Sequence, residues 1–308
     1  MKCLVTGGAG FIGSNLVEKL LEQKHQIVVI DDLSTGRKEN LDGFFSKIKF
    51  YQESILNFDN LKNISQGCEI IFHQAAIPSV VRSIQNPRAS SLVNIEGTLN
   101  VLLCAKELGI RRVVIASSSS VYGDTKILPK KEDMVIWPKS PYALTKLVDE
   151  HYGRIFSNLY DLETVCLRYF NVFGPRQNPN SNYAAVIPAF IKAVANGQSP
   201  IIHGDGEQTR DFTFINDVVR ANILASKVKI SKHNVINIAS GRNISINNLL
   251  QLIIKIIGKN VPAMRDEPRL GDVRDTQADI KLAKKLLNYS PNYNLEEGLR
   301  ETVKWFYR

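Results

Sequence analysis

Tyr142 and Lys146 stand four residues apart in Pro141-Tyr142-Ala143-Leu144-Thr145-Lys146, directly after Pro138-Lys139-Ser140. A proline there suits the first turn of a helix, and a spacing of four puts both side chains on one helical face. A free phenol keeps its proton until about pH 10. An ammonium group one turn away favours the phenolate, so such a pair can take a proton from an alcohol and return it. Four serines, Ser117 to Ser120, end the apolar run Arg112-Val113-Val114-Ile115-Ala116 and precede Val121-Tyr122-Gly123. Their hydroxyls fall at the carboxyl end of a strand, the edge at which open α/β sheets bind ligands.

The elements that must position these groups begin at residue 2. Lys2-Cys3-Leu4-Val5 suits a buried parallel strand, and Ser14 to Leu21 has helical apolar spacing. Between them lies Thr6-Gly7-Gly8-Ala9-Gly10-Phe11-Ile12-Gly13. Gly7 permits the tight turn, Gly10 lets the backbone approach a pyrophosphate, and Gly13 lets helix pack on strand. The helix then offers free N–H groups and its positive dipole end to phosphates. A second strand, Gln26 to Ile30, ends in Asp31-Asp32, at the offset of the acid that holds an adenosine ribose. A carboxylate there accepts from ribose hydroxyls and repels a 2′-phosphate, which favours NAD over NADP. The polar loop Leu33-Ser34-Thr35-Gly36 follows where the adenosine half would lie.

Further strands are expected near residues 49–52, 69–74 and 234–238, with Gln74-Ala75-Ala76 giving small residues where backbone meets a flat cofactor. Asn86 to Leu108 has the periodicity of one long helix, interrupted by Asn94 and Gly97. Helices are also expected over 182–196, 216–227, 245–257 and 295–306. This pattern predicts an α/β chain: a Rossmann-type doubly wound parallel sheet over 1–170, completed by the strand near 234–238, and a smaller α/β substrate domain over 171–308.

Composition narrows the class. The 308 residues are 44% hydrophobic and 22% charged, as in globular proteins with a large core. With no run of about 18 apolar residues and no apolar leader, neither a membrane span nor a signal peptide is expected. The expected location is the cytoplasm. Cys3, Cys68, Cys104 and Cys166 lack metal-ligand spacing and lie in apolar segments, so buried thiols and no metal are expected. The net charge of +9 is spread along the chain rather than gathered in a basic tract with aromatics, so nucleic acid is not an expected partner.

With these motifs assembled, the chain resembles the extended short-chain dehydrogenase/reductase family, and within it the nucleotide-sugar 4-epimerases. Carrying the resemblance are residues 6–13, His73-Gln74-Ala75-Ala76, Tyr142-x-x-x-Lys146 and Leu167-Arg168-Tyr169-Phe170-Asn171-Val172-Phe173-Gly174-Pro175-Arg176-Gln177. His203-Gly204-Asp205-Gly206, Arg210-Asp211-Phe212 and Arg269-Leu270-Gly271-Asp272 extend it. The resemblance implies tightly held NAD, with Gly7, Gly10, Phe11, Ile12, Gly13, Asp31, Asp32, Ser34, Thr35, Gly36, Ser54, Ile55, Gln74, Ala75, Ala76, Asn94 and Tyr169 along it. It implies catalysis by Tyr142, Lys146 and a serine that counts back from Val121-Tyr122-Gly123 to Ser118, with Ser119 the nearest alternative. Ser79, Asn171, Val186, Ile187, His203, Arg210, Arg269 and Asp272 would bind a UDP-sugar. Glu53-Ser54-Ile55 departs from the family's acid-then-apolar pattern near adenine. Ser120 stands where the dehydrating and decarboxylating relatives usually carry an acid, which points to epimerisation. Thr276, seven residues after Arg269, falls at the position said to gate the sugar pocket, and a small residue there admits N-acetyl groups. UDP-glucuronate remains open, with Arg82 or Arg274 as carboxylate partners, as does a non-catalytic nucleotide-binding member of the fold. The family usually dimerises through a four-helix interface, which the long apolar helices expected over 89–108 and 142–159 would supply.

Overall fold

The computed structural model describes residues 1–179, 185–229, 233–268 and 273–307. Six strands, Lys2–Thr6 (β1), Gln26–Ile30 (β2), Lys49–Tyr51 (β3), Ile70–His73 (β4), Arg112–Ser118 (β5) and Glu163–Tyr169 (β6), join the strand His233–Ile238 in one sheet. Its order is 233–238, β6, β5, β4, β1, β2, β3, and every pairing is parallel. Such strands are covered on both faces, hence the unbroken apolar runs. Leu4, Val5, Ile71, Phe72, Val113 and Val114 are fully buried.

Alternate residues along each strand feed two cores. Val5, Val29 and Phe72 pack with Leu16, Leu20, Val218 and Ala225 from the helices Phe11–Glu22 and Ile215–Lys227. Leu4, Ile71 and Ile115 pack with Leu61, Val101, Leu102 and Phe156 from the helices Phe58–Ser65, Gly97–Glu107 and Pro141–Tyr160. Each such side chain contributes about 1.5–3 kcal/mol by leaving water. The chain runs outward through β2 and β3, then returns to β4 on the other side of β1. The switch between β1 and β4 opens a crevice at the carboxyl ends of the strands, where such sheets bind nucleotides.

Among its described residues the later chain adds three short strand pairs, the helices Val186–Ala195, Ile246–Ile257 and Leu295–Phe306, which pack on one another, and the short helix Lys281–Leu287. Their apolar faces, with Phe190, Leu250 and Val303, continue the first core without a break. Ser245 caps its helix by accepting from Asn248 N, and Gly258 closes it at φ +77°. Asn294 and Glu297 form a capping box on the last helix.

One expectation is corrected in detail. The helix foreseen over 86–108 is helical at Pro87–Ser91 and Gly97–Glu107 but widens to a π-turn over Leu92–Glu96. Asn94 is the cause visible in the contacts: its amide reaches back to Ile77 N at 2.8 Å and across to Thr145 Oγ1 at 3.0 Å. Single π-turns of this kind cluster at functional sites. Gly97 gives the Ile55 side chain its room, since a Cβ would lie 2.4 Å from Ile55 Cδ1 and that side chain would have to turn aside.

Candidate active site

The first turn is built by glycine at close quarters. Gly7 adopts φ +68° and donates to Ile30 O at 2.8 Å, and Gly10 N donates to Gly7 O at 3.1 Å. A Cβ on Gly13 would meet Gly7 O at 2.1 Å, so no other residue fits without moving the turn. At the end of β2, Asp31 accepts from Ala9 N and Leu33 N, each at 2.9 Å. Burial raises its pKa, and those N–H groups offset only part of the rise. Gly36 closes the loop over this carboxylate, where a Cβ would lie 2.6 Å from Asp31 Oδ1. Asp32 accepts from Ser34 N at 2.9 Å and Ser34 Oγ at 2.6 Å, fixing the loop beside it.

From this turn a cleft of about 420 Å³ runs along the strand ends to the helix Pro141–Tyr160. Gly7, Gly10, Phe11, Ile12, Gly13, Asp31, Asp32, Ser34, Thr35, Ile55, Gln74, Ala75, Ala76, Ser79, Tyr142, Lys146 and Tyr169 line it, all named from the sequence. The sequence did not mark Glu53, Pro78, Val93, Ala116, Ser117, Gln177, Asn178 or Ala185 as binding residues, yet they line it too. Arg82, foreseen only as a carboxylate partner, also faces it. Ser54 turns away and caps Leu56 N at 3.2 Å, and Asn94 serves the π-turn.

At the far end the hydrogen-bond partners fix which proton goes where. Thr98 donates to Asn94 O, at 2.5 Å. Its oxygen is therefore the acceptor for His73 Nε2–H at 2.9 Å, and His73 Nδ1 in turn accepts from Thr6 Oγ1 at 2.7 Å. Burial holds this imidazole neutral, its pKa pushed down to about 3. The serines separate by the same bookkeeping. Ser117 spends its proton on Glu150 Oε1 at 2.5 Å, and Ser120 spends its own on Ser118 Oγ at 2.9 Å. Ser118 also accepts from Ser120 N at 3.2 Å. With both lone pairs taken, the Ser118 proton is uncommitted, and the Ser119 hydroxyl is likewise without a committed proton, so these two remain the candidates; of the four serines, Ser117 is the one on the cleft lining, with Ser118 and Ser119 next to it in the chain.

Behind them Glu150 and Arg168 form a buried fork, Nε to Oε1 and Nη2 to Oε2 both at 2.8 Å. Lys146, its side chain 3% exposed, bonds Asp149 Oδ2 through Nζ at 3.0 Å, and Asp149 is fully buried. Tyr169 holds its hydroxyl between Gln74 and Asn222.

A second cleft of about 260 Å³ lies in the later part of the chain and shares Gln177 and Ala185 with the first. Asn171, Val186, Ile187, His203 and Arg210 line it, with Phe190, Gln208, Phe212 and Ile246, which the sequence did not single out for binding. Asn171 sits at φ +32° and donates to Asp211 O at 3.0 Å and Thr276 Oγ1 at 3.2 Å. Thr276 is buried and accepts from Asp211 N as well, at 3.2 Å. Arg274 is committed to Asp205 by two bonds of 2.9 Å. Arg269 and Asp272 lie outside the described residues.

Residues 3–239 match the model of the NAD dependent epimerase/dehydratase family. The chain belongs to that family. Among its relatives is the putative UDP-glucose 4-epimerase of Methanocaldococcus jannaschii, 40% identical over 98% of this chain and 97% of the other. The solved UDP-glucose 4-epimerase of Thermotoga maritima, with UDP-glucose, superposes at a TM-score of 0.96 with 38% identity over 100% of this chain and 99% of that one. The UDP-N-acetylglucosamine 4-epimerase of Methanobrevibacter ruminantium M1, solved with UDP-N-acetylmuramic acid, gives 0.95 and 40% over 99% and 98%. The family also holds relatives named UDP-glucuronate 4-epimerase and UDP-glucuronic acid decarboxylase, at 38% and 32% identity. The first cleft fits this family's dinucleotide on its own chemistry. Glycines stand where a Cβ would fill the turn, a ribose-height carboxylate ends β2, and a buried ammonium closes the far end. Among the described residues no helix is long and apolar enough to cross a membrane, and all four cysteines are buried and unpaired.

Proposed function

We propose that this chain is an NAD-dependent UDP-sugar 4-epimerase in which Tyr142 is the acid/base, Ser118 its hydroxyl partner and Lys146 the group that holds the phenol's charge and the cofactor's ribose. The observation that carries the reading is the meeting of the two clefts at Gln177 and Ala185, with Tyr142 and Lys146 on the wall of the first. NAD, when bound, supplies reversible hydride acceptance at carbon. The rest is done by the chain. Tyr142 takes the proton of the sugar 4-hydroxyl, and Ser118, its own proton uncommitted, donates to the same oxygen. Lys146 sets a positive charge close enough to Tyr142 for the two to interact. Arg210 grips the diphosphate beside Asn171 while Val186, Ile187 and His203 hold the uracil, so the oxidised sugar is free to turn and present its other face for return of the hydride to C4, while Tyr142 gives the proton back to the 4-oxygen.

Thr276 lines neither cleft, but it is small and bonded to Asn171 on the wall of the second one, so it puts no bulk there, and UDP-N-acetylglucosamine/UDP-N-acetylgalactosamine are proposed substrates alongside UDP-glucose/UDP-galactose. Arg82, on the cleft wall, is what favours UDP-glucuronate as a second reading; Arg274, already forked to Asp205, does not serve it. Ser120 in place of an acid, with its proton given to Ser118, argues against decarboxylation, which needs a carboxyl acid/base pair at the sugar. The working unit proposed is a homodimer in the cytoplasm.

Incubating the holoenzyme without added NAD against each of the three sugars, and following anomeric proton signals, tests this. Growth of a 4-epimer from one of them is the expected result, with Tyr142→Phe retaining cofactor and losing turnover. Cofactor binding without any epimer, or net NADH release, overturns it in favour of a nucleotide-binding protein or a reductase. Undiminished N-acetyl turnover by Thr276→Tyr removes the gate.

A further inference from the structure

Lys146 is buried with a single protein acceptor. Its side chain is 3% exposed, and the one bond its ammonium makes among the described residues goes to Asp149 Oδ2, at 3.0 Å one helical turn on. Burial works against the ammonium, and Asp149, with help from Tyr142, more than offsets this and raises the Lys146 pKa. Asp149 has no solvent contact, and its second oxygen, Oδ1, has no hydrogen-bond partner. The neighbouring Thr98 hydroxyl, which helps to hold the Asp149 pKa down, gives its own proton to Asn94 O. The catalytic reading of Tyr142 makes no use of Asp149, and a carboxylate kept in such a place costs stability unless it does something for the charge beside it.

We propose that Asp149 is a positioning residue that keeps Lys146 protonated and in place beside Tyr142, so that without it the lysine discharges as the pH rises through the working range. The proposal rests on Tyr142 and Lys146 being the acid/base pair. The charged and titratable groups facing the pair offer no substitute. His73, on β4, is neutral down to about pH 3. The Cys166 thiol, on β6, is pushed far up by burial and stays uncharged. Glu150, on the same helix, is committed to Arg168 by the fork and to Ser117. Asp149 itself, pushed up to about 6 by burial, is charged at neutral pH.

The test uses the holoenzyme with Asp149→Asn, Asp149→Glu and the unaltered chain, each paired with its Tyr142→Phe counterpart. Two quantities are read against pH: kcat for the substrate that turns over, and the ultraviolet phenolate band that disappears with Tyr142→Phe. A buried lysine stripped of its counter-ion loses its proton about two or more pH units lower. The expected result is therefore a new alkaline fall in kcat for Asp149→Asn, and a phenolate share about tenfold smaller at alkaline pH, with Asp149→Glu restoring both. An equal or larger phenolate share in Asp149→Asn means Lys146 keeps its charge unaided, and overturns the proposal. The phenolate band does not depend on turnover, so this outcome is separable from failure of the epimerase reading. If Asp149→Asn does not fold with cofactor, Asp149→Ser takes its place. The proposal then requires the alkaline loss in that uncharged variant and its absence in Asp149→Glu.

Discussion

Replacing Glu150 with alanine should destabilise the protein by several kcal/mol while touching neither cleft directly. Glu150 and Arg168 are 5% and 3% exposed, and two bonds of 2.8 Å join them. Arg168 also donates to Tyr122 OH at 2.8 Å, and that hydroxyl donates to Asn237 Oδ1 at 2.7 Å. Glu150→Ala thus leaves a guanidinium stranded in the core, which costs about 3–5 kcal/mol because solvent screening is absent. The released Ser117 hydroxyl adds about 1 kcal/mol. Over 308 residues, an unfolding entropy of about 2.1 cal/mol/K per residue makes each kcal/mol worth about 1.5 °C. The expected fall in Tm is therefore about 6–9 °C, read by circular dichroism and checked by urea midpoint. Removing both charges with Glu150→Leu and Arg168→Met together should cost less than Glu150→Ala alone, since no charge is then buried unpaired. A single-variant loss under about 1 kcal/mol, or a double variant whose cost is the sum of the two, would refute the account of this pair.

Other consequences are equally direct. His73 is pushed down to about 3 by burial, so its contribution is complete above pH 6.5 and drains away as the pH falls toward 3. His73→Gln should therefore shrink the difference in urea stability between pH 7 and pH 5 by about 2 kcal/mol. Gly13→Ala, whose Cβ would sit 2.1 Å from Gly7 O, should purify with little bound NAD, measured by cofactor release on denaturation. Thr276→Val keeps the shape but strips the acceptor shared by Asn171 and Asp211 N. It should raise KM for the UDP-sugar about tenfold with little change in kcat; an unchanged KM would show that Asn171 holds its place without the threonine.

The parts of this site that the sequence carried are those that backbone geometry dictates. Gly7, Gly10, Gly13 and Asp31 are tied to a turn that accepts few alternatives, and Tyr142 and Lys146 are tied by helical pitch, so spacing alone located them. Asn94 looked like an interruption because period counting has no place for a side chain that bonds Ile77 and Thr145 from opposite sides. The choice among Ser117, Ser118, Ser119 and Ser120 was undecidable by pattern, since all four are one chemical type. The destinations of two protons, Glu150 for Ser117 and Ser118 for Ser120, narrow the choice to Ser118 and Ser119, and the first of them depends on where the helix Pro141–Tyr160 packs against β5. Asp149 shows the same limit. On a helical wheel it is one acid beside another, and what distinguishes it from Glu150 is that Arg168 on β6 claims one and leaves the other to Lys146. Which carboxylate serves Lys146 is therefore decided by the sheet, not by the helix that carries them both.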